Sequence, residues 1–174
     1  VSSSKVPLAF TEQDAELFRR LGRDKELGQL VGLVRDQQVG LAVVMGESGA
    51  GTTSLLRAGL AGVLEGDGCG VVYWEALPTD PLAGLLRTLR GKWQALHFGS
   101  APESADDLLL PPPEGRARVV VLDQFEQLRP DQADHAPVFE LLRRVAVEQA
   151  PPHRCTWGIG TRLIRRTGEE GADR

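Results

Sequence analysis

The chain has 174 residues, of which 41% are hydrophobic and 25% charged, as in one ordinary globular domain. Its net charge of −4 argues against direct binding to nucleic acid or to a membrane surface, and no apolar run is long enough to cross a bilayer. The two cysteines form neither a metal-binding spacing nor a disulfide framework, so we expect a reducing, cytoplasmic location. Because the chain begins with Val1 rather than methionine, we also expect it to be a fragment or a processed form.

Helical and strand patterns alternate along the chain, and this order predicts an α/β fold with a mainly parallel sheet. The predicted helices lie at 11–21, 24–37, 53–64, 81–97 and 137–149, and the predicted strands at 41–45, 70–74, 119–122 and 155–159. Residues 99–117 are predicted to form a surface loop with a short helix at 105–109. We divide the chain into a lead-in and helix (1–21), a main domain (22–166) and a frayed tail (167–174).

Two helices carry apolar residues at helical spacing, which predicts faces that pack in the core. In the helix at 81–97 these residues are Leu82, Leu85, Leu86, Leu89 and Trp93. In the helix at 137–149 they are Val138, Leu141, Leu142, Val145 and Ala146. Asp80 is predicted as the cap of the first of these helices, with Pro81 at its first position.

A glycine-rich turn follows the first predicted strand. The pattern G-x-x-x-x-G-K-[ST] of phosphate-binding loops fits at Gly46, Gly51 and Thr53, but Thr52 occupies the lysine position. Glycines let backbone N–H groups turn toward an anion, and the positive end of the next helix points to the same place. The candidate nucleotide-binding residues are Gly46, Glu47, Ser48, Gly49, Ala50, Gly51, Thr52, Thr53 and Ser54.

The missing lysine weakens this motif without removing its basis. The amides of the turn can still bind phosphates, but affinity should fall, and charge stabilisation of phosphoryl transfer should fall further. An alternative interpretation takes Gly46 to Ala50 as the nucleophile elbow of a hydrolase, with Ser48 as the nucleophile. That interpretation is disfavoured because Ala50 replaces the second glycine and no acid–histidine pair follows.

A second informative stretch ends in an acid. The run Val119 to Leu122 predicts a strand buried on both faces, and Asp123 follows at its carboxyl end. Because ligands of open α/β sheets bind at this edge, Asp123 would meet the glycine-rich turn and hold Mg²⁺ opposite the Thr53 hydroxyl. Glu126 could then orient or deprotonate the attacking water. Alternatively, Asp123 is only a solvated loop residue.

The last predicted strand continues to Gly160-Thr161-Arg162 and reaches the same edge. Arg162 could contact a terminal phosphate as a charge sensor, or it could be a surface arginine in a basic tail. The three histidines, His97, His135 and His153, are scattered singly, and we predict that they are surface or satisfied residues rather than ligands.

Taken together, several motifs resemble the STAND-type signal-transduction P-loop NTPases of the AAA+-like group, in particular the bacterial novel STAND NTPase domains. The stretches that carry this resemblance are the entry segment Phe10 to Phe18, the G-R-x-x-E element Gly22 to Glu26, GESGAG with SLLRAGL, Asp80-Pro81-Leu82, and DQFEQL from Asp123 to Leu128. The third stretch corresponds to the family's Walker A region, the fourth to its middle helix and the fifth to its Walker B signature.

The resemblance implies a three-layer α/β/α P-loop NTPase with a mainly parallel sheet, in which the strand ending at Thr161 separates the Walker A and Walker B strands. It implies ATP or ADP and Mg²⁺ as ligands, with nucleotide state controlling self-association and the output of attached domains in signalling or antiphage defence. Because Thr52 departs from the motif, we predict a nucleotide-binding switch whose hydrolysis is weak or absent. The alternative is a pseudo-NTPase that acts only as a protein-interaction scaffold.

Overall fold

The computed structural model describes residue 14, residues 20–36, 39–47, 49–95, 101–109 and 118–148, and the backbone of 155–162. The predicted tail at 167–174 and nearly all of the predicted helix at 11–21 lie outside this part of the chain. Within it, the predicted elements are present, with shifts of one to a few residues at their ends.

Four strands form one parallel sheet. They are β1 (Leu41–Gly46), β2 (Gly70–Glu75), β3 (Arg118–Asp123) and β4 (Cys155–Arg162). The order across the sheet is β1-β4-β3-β2, and every neighbouring pair is parallel. The predicted α/β fold with a parallel sheet is therefore confirmed, and β4 lies between β1 and β3, as the family resemblance implies.

Four helices and two short 3₁₀ turns complete the described elements. The helices are α1 (Asp24–Arg35), α2 (52–66), α3 (Pro81–Ala95) and α4 (Ala136–Glu148), and the 3₁₀ turns are Asp106–Leu109 and Phe125–Gln127. Helix α2 is not uniform, because a π-helical segment, Leu55–Leu60, lies between two α-helical ones, Thr52–Ser54 and Ala61–Gly66. The sequence did not predict this segment.

Apolar residues of β3 face two separate clusters. Val120 and Leu122 pack in one cluster with α3 and α4, whereas Val119 and Val121 pack in the other with α1 and α2. Since side chains alternate along a strand, these clusters lie on opposite faces of the sheet. All six residues of β3 are buried, as the apolar run predicts for a strand covered on both faces.

The two predicted core faces on helices are largely confirmed. Leu85, Leu89 and Trp93 of α3 are buried, and so are Val138, Leu141, Leu142 and Val145 of α4. Ala146, predicted to face inward, is exposed. Asp80 precedes α3 as predicted, and its carbonyl accepts the N–H of Gly84 at 3.0 Å. Its φ of +47° is left-handed rather than the extended conformation typical of a cap, a conformation that aspartate tolerates better than most residues.

A buried cation marks the amino end of β3. Arg118 is 2% exposed, and its guanidinium donates to the carbonyl of Leu108 at 2.9 Å. The same guanidinium lies 4.4 Å from the centroid of the Trp93 ring, within range of a cation–π interaction. These contacts attach the 3₁₀ turn at 106–109 and helix α3 to the end of the sheet opposite Asp123.

His135 connects the loops that follow β2 and β3. It is fully buried; its Nδ1 accepts the N–H of Arg129 at 2.8 Å, and its Nε2 lies 2.7 Å from the carbonyl oxygen of Pro78. These contacts require the ring proton to be on Nε2. The prediction of a satisfied histidine is confirmed at this position, whereas His97 and His153 lie outside the described residues.

Replacing His135 by alanine should therefore lower the free energy of unfolding by about 2–4 kcal/mol, because a buried side chain leaves a cavity and two partly buried backbone groups lose their partners. Urea denaturation measures this change. Val147→Ala is the control, because Val147 is 70% exposed on α4 and its truncation should change stability by less than about 0.5 kcal/mol. Equal midpoints for the two variants would contradict the role given to His135.

Candidate functional site

The register of the sheet places the predicted site residues at one edge. Gly46 at the end of β1 pairs with Arg162 at the end of β4, and Glu75 at the end of β2 pairs with Asp123 at the end of β3. All four positions are therefore at the carboxyl edge, where ligands of open α/β sheets bind. For Arg162 this concerns the backbone only, so its contact with a phosphate stays a prediction.

The glycine turn, defined here as residues 46–51, has left-handed backbone at two positions. The φ angles are +84° at Gly49 and +74° at Gly51. The N–H of Ala50 donates to the carbonyl of Glu47 at 3.0 Å, and the N–H of Leu55 donates to Gly51 at 2.9 Å, where α2 begins. Turns of this kind let successive N–H groups converge on an anion. Ser48 lies outside the described residues.

Thr52 folds back against the first glycine of the turn. A Cβ atom added to Gly46 would lie 2.5 Å from the Thr52 Oγ1 atom and 3.4 Å from the Ala50 Cβ atom. Real Cβ atoms essentially never lie this close to another atom, so a side chain at this position would force the Thr52 hydroxyl to move. The uncharged side chain at the lysine position therefore lies close to Gly46, at the start of the turn.

Arg23 holds the other side of the glycine turn. Its Nη1 donates to the carbonyl of Ala50 at 2.8 Å and to that of Gly51 at 3.3 Å, while its Nε lies 3.5 Å from the Glu26 carboxylate. From the sequence alone, Arg23 and Glu26 would be interpreted as solvated residues at a helix end. The G-R-x-x-E element was the one signal in the sequence that pointed to them.

The Asp123 carboxylate is buried and accepts hydrogen bonds on both oxygens. It is 3% exposed; Oδ1 accepts the N–H of Gln124 at 2.8 Å, and Oδ2 accepts the hydroxyl of Tyr73. The alternative that Asp123 is a solvated loop residue is therefore wrong. Gln124 has a left-handed φ of +55°, and its side-chain amide donates to Glu75.

Tyr73 and Arg57 are residues that the sequence reasoning missed. The Arg57 guanidinium lies 5.1 Å from the centroid of the Tyr73 ring, which connects α2 to β2. The pKa of the Tyr73 phenol is raised well above its usual value, mainly because the phenol is buried and secondly because it donates a hydrogen bond to Asp123. The hydroxyl therefore stays a donor at physiological pH.

The remaining predicted residues lie on the elements that follow these strand ends. Thr53 and Ser54 are half-buried in the first turn of α2, and Glu126 is half-buried in the 3₁₀ turn after β3. In the described part of the chain, no group of three or more His, Cys, Asp or Glu residues could hold a metal ion. A Mg²⁺ ion bound by one carboxylate, one hydroxyl and phosphate oxygens needs no such group.

Residues 8–162 match the family model described as Novel STAND NTPase 1. The chain belongs to this family. The match confirms the resemblance seen in the motifs, and this STAND NTPase domain includes every described element from α1 to β4. The comparison with curated proteins gave no match. In the part of the domain that is described, no helix is both long and apolar enough to span a membrane.

The closeness of Gly46 and Thr52 makes a prediction about stability. Gly46→Ala should destabilise the domain by about 1–3 kcal/mol, because the new methyl group overlaps the Thr52 hydroxyl. In a Thr52→Ala background the same substitution should cost at least about 1 kcal/mol less, since the overlapping atom is gone. Thermal or urea denaturation of the four proteins gives this coupling.

Gly28→Ala is the matched control for that cycle. Gly28 lies within α1 with nothing within 4 Å of an added Cβ, so alanine should leave stability unchanged or raise it by up to about 1 kcal/mol. An equal cost of Gly46→Ala in both backgrounds would show that the Thr52 hydroxyl does not lie against Gly46.

Proposed function

We propose that this STAND NTPase domain is a nucleotide-binding switch, which binds ATP or ADP with Mg²⁺ and hydrolyses ATP slowly or not at all. The observation that carries the proposal is that the glycine turn and the buried Asp123 carboxylate lie at the same edge of a parallel sheet. Two left-handed glycines, and a first glycine whose added Cβ would overlap the Thr52 hydroxyl, fit a turn that binds phosphate through its backbone.

The proposed roles follow the positions of the residues. Backbone N–H groups of residues 46–54 bind the phosphates, and Thr53 and Asp123 are the protein ligands of Mg²⁺, directly or through water. When bound, Mg²⁺ neutralises charge on the phosphate oxygens. Glu126 orients or deprotonates the attacking water, and Arg162 contacts the terminal phosphate. The apolar clusters on both faces of the sheet support a three-layer α/β/α architecture of the AAA+-like kind.

Weak hydrolysis follows from Thr52. The motif lysine places a cation on the terminal phosphates, and removing one such stabilising group costs an enzyme about 10²–10³ in rate. Arg23 is a cation next to the turn, but its Nη1 donates to the carbonyls of Ala50 and Gly51. The proposed domain therefore uses nucleotide chiefly as a ligand.

As a switch, the domain would control self-association and the output of attached domains according to the nucleotide bound. Membership of the STAND family supports this part of the proposal. We propose a cytoplasmic setting within a larger signalling or antiphage-defence protein, with no direct contact with nucleic acid or membrane. The net charge of −4 is consistent with partners other than nucleic acid.

Thr52 also favours a second candidate function, a pseudo-NTPase that acts as a scaffold without nucleotide. A hydrolase at Ser48 is disfavoured, because the described histidine, His135, is fully buried with both ring nitrogens on backbone groups. Thermal unfolding with increasing MgATP or MgADP separates the two candidates. Nucleotide at 100 times its dissociation constant should add about 2.7 kcal/mol of stability. No shift at millimolar nucleotide would contradict the nucleotide switch and favour the scaffold.

Thr52→Lys should bind MgADP and MgATP about 10–100 times more tightly and should hydrolyse ATP faster. The reason is that a charged donor to phosphate contributes about 1.5–3 kcal/mol. Isothermal titration and phosphate release measure the two effects. Thr52→Met is the control, because methionine has a similar length without the charge. Equal affinities of the Lys and Met variants would contradict a phosphate contact at this position.

Asp123→Asn should remove the dependence of nucleotide binding on Mg²⁺ while leaving the affinity measured in EDTA unchanged. Asparagine keeps one oxygen that can accept the Gln124 N–H, and its amide nitrogen can donate to the Tyr73 oxygen, but it loses the negative charge that attracts the cation. Asp131→Asn, at an exposed carboxylate, is the control. If the Asp123 variant keeps the full Mg²⁺ dependence, the metal role of Asp123 is wrong.

A further inference from the structure

We propose that Tyr73 is a positioning residue for the Asp123 carboxylate, and that it connects this carboxylate to helix α2 through Arg57. The inference rests on the proposed function, in which Asp123 holds Mg²⁺. It gives a functional role to Tyr73, a β2 residue that belongs to none of the nucleotide-binding motifs. Its basis is one contact between neighbouring strands and one contact between strand and helix.

The contact between strands follows from the register. Tyr73 pairs with Val121, and Glu75 pairs with Asp123, so Tyr73 is the diagonal neighbour of Asp123 on the same face of the sheet. A tyrosine is long enough to span this diagonal, and its hydroxyl donates to Oδ2 of Asp123. The Gln124 N–H donates to Oδ1, so two donors from two elements fix the plane of the carboxylate.

The number of acceptor positions shows what this arrangement leaves open. A carboxylate offers about four lone-pair positions. Among the described residues, Tyr73 and Gln124 occupy two of these positions, one on each oxygen, which leaves a further position on each oxygen that a metal ion or a metal-bound water could use. Partners of this kind, which hold a metal ligand in place, typically change metal affinity 10–100-fold when they are removed.

The second contact extends from the ring to the helix after the glycine turn. Arg57 lies four residues after Thr53, within the π-helical segment Leu55–Leu60, and its guanidinium lies over the Tyr73 ring. The ring thus lies between a cation on α2 and the carboxylate at the end of β3. Helix α2 carries the proposed phosphate ligands, so the two halves of the proposed Mg²⁺ site are joined through one side chain.

A purely structural tyrosine is the competing explanation, because buried tyrosines generally find some hydrogen-bond partner. The two explanations differ in what happens when the hydroxyl is removed. Loss of a structural contact weakens nucleotide binding equally with Mg²⁺ and with EDTA. Loss of a positioning contact weakens binding only when Mg²⁺ is present.

The test compares MgADP binding with ADP binding in EDTA for the wild-type protein, Tyr73→Phe and Thr88→Val. Tyr73→Phe keeps the ring over which Arg57 lies and removes only the hydroxyl. Its Mg²⁺ enhancement should fall about tenfold or more, with the affinity in EDTA unchanged. Thr88→Val is the matched control, because the Thr88 hydroxyl donates to Gly84 within α3, and its loss should leave both affinities unchanged.

A spectroscopic measurement keeps the inference testable if Tyr73→Phe folds poorly. Tyr73 is the single tyrosine of the chain, so an isotope label on the phenol ring gives one assignable NMR signal. That signal should shift when Mg²⁺ and ADP are added to the wild-type protein, and it should differ in Asp123→Asn. A signal that is identical in wild type and Asp123→Asn would overturn the inference.

The outcomes separate this inference from the function on which it rests. If the wild-type protein binds ADP neither with Mg²⁺ nor with EDTA, the nucleotide switch itself is wrong and the inference falls with it. If the wild type binds without any Mg²⁺ enhancement, nucleotide binding stands and the role of Tyr73 is overturned. If Tyr73→Phe keeps the full enhancement, only the inference is overturned.

Discussion

The burial of β3 is the constraint on which the arrangement of this domain depends. All six of its residues are buried, and parallel neighbours pair with it on both sides. Because parallel strands end at the same edge, this pairing brings Glu75 and Asp123 together and directs the end of β4 to the same place. The position of Asp123 therefore depends on the packing of the sheet rather than on the conformation of a loop.

The fold could be predicted where local pattern and tertiary role agree. The run Val119 to Leu122 indicated a strand covered on both faces, and the spacing of Leu85, Leu89 and Trp93 indicated one buried face of a helix. The π-helical segment Leu55–Leu60 could not be predicted. The apolar residues of LLRAGL are compatible both with the backbone hydrogen bonds of an α-helix, which span four residues, and with those of a π-helix, which span five. That choice depends on packing against elements elsewhere in the chain.

The candidate site shows a similar division. The strand-to-turn-to-helix order and the acid after β3 were sufficient to place the glycine turn and Asp123 at one edge. Tyr73 was missed because GVVYW has the pattern of an ordinary buried strand. The carboxylate that Tyr73 contacts, that of Asp123, lies 50 residues away in the sequence. Arg23 was seen only through a family motif, since its partners are 27 and 28 residues distant. Side-chain partners across the sheet are set by register, which periodicity alone does not define.

The buried ions at the two ends of β3 have a consequence for how the sheet is aligned. Arg118 and Asp123 are five residues apart, about 17 Å along a strand, so each is stabilised by its own neighbours and hardly by the other. The four apolar residues between them are similar in size and chemistry. If β3 shifted by two residues relative to its neighbouring strands, each of its side chains would still face the same side of the sheet. Such a slip would take an ion away from its partners into apolar surroundings, at a cost of several kcal/mol. The charged residues at the two ends of β3 thus fix the register of a strand whose valine and leucine residues alone would not define it.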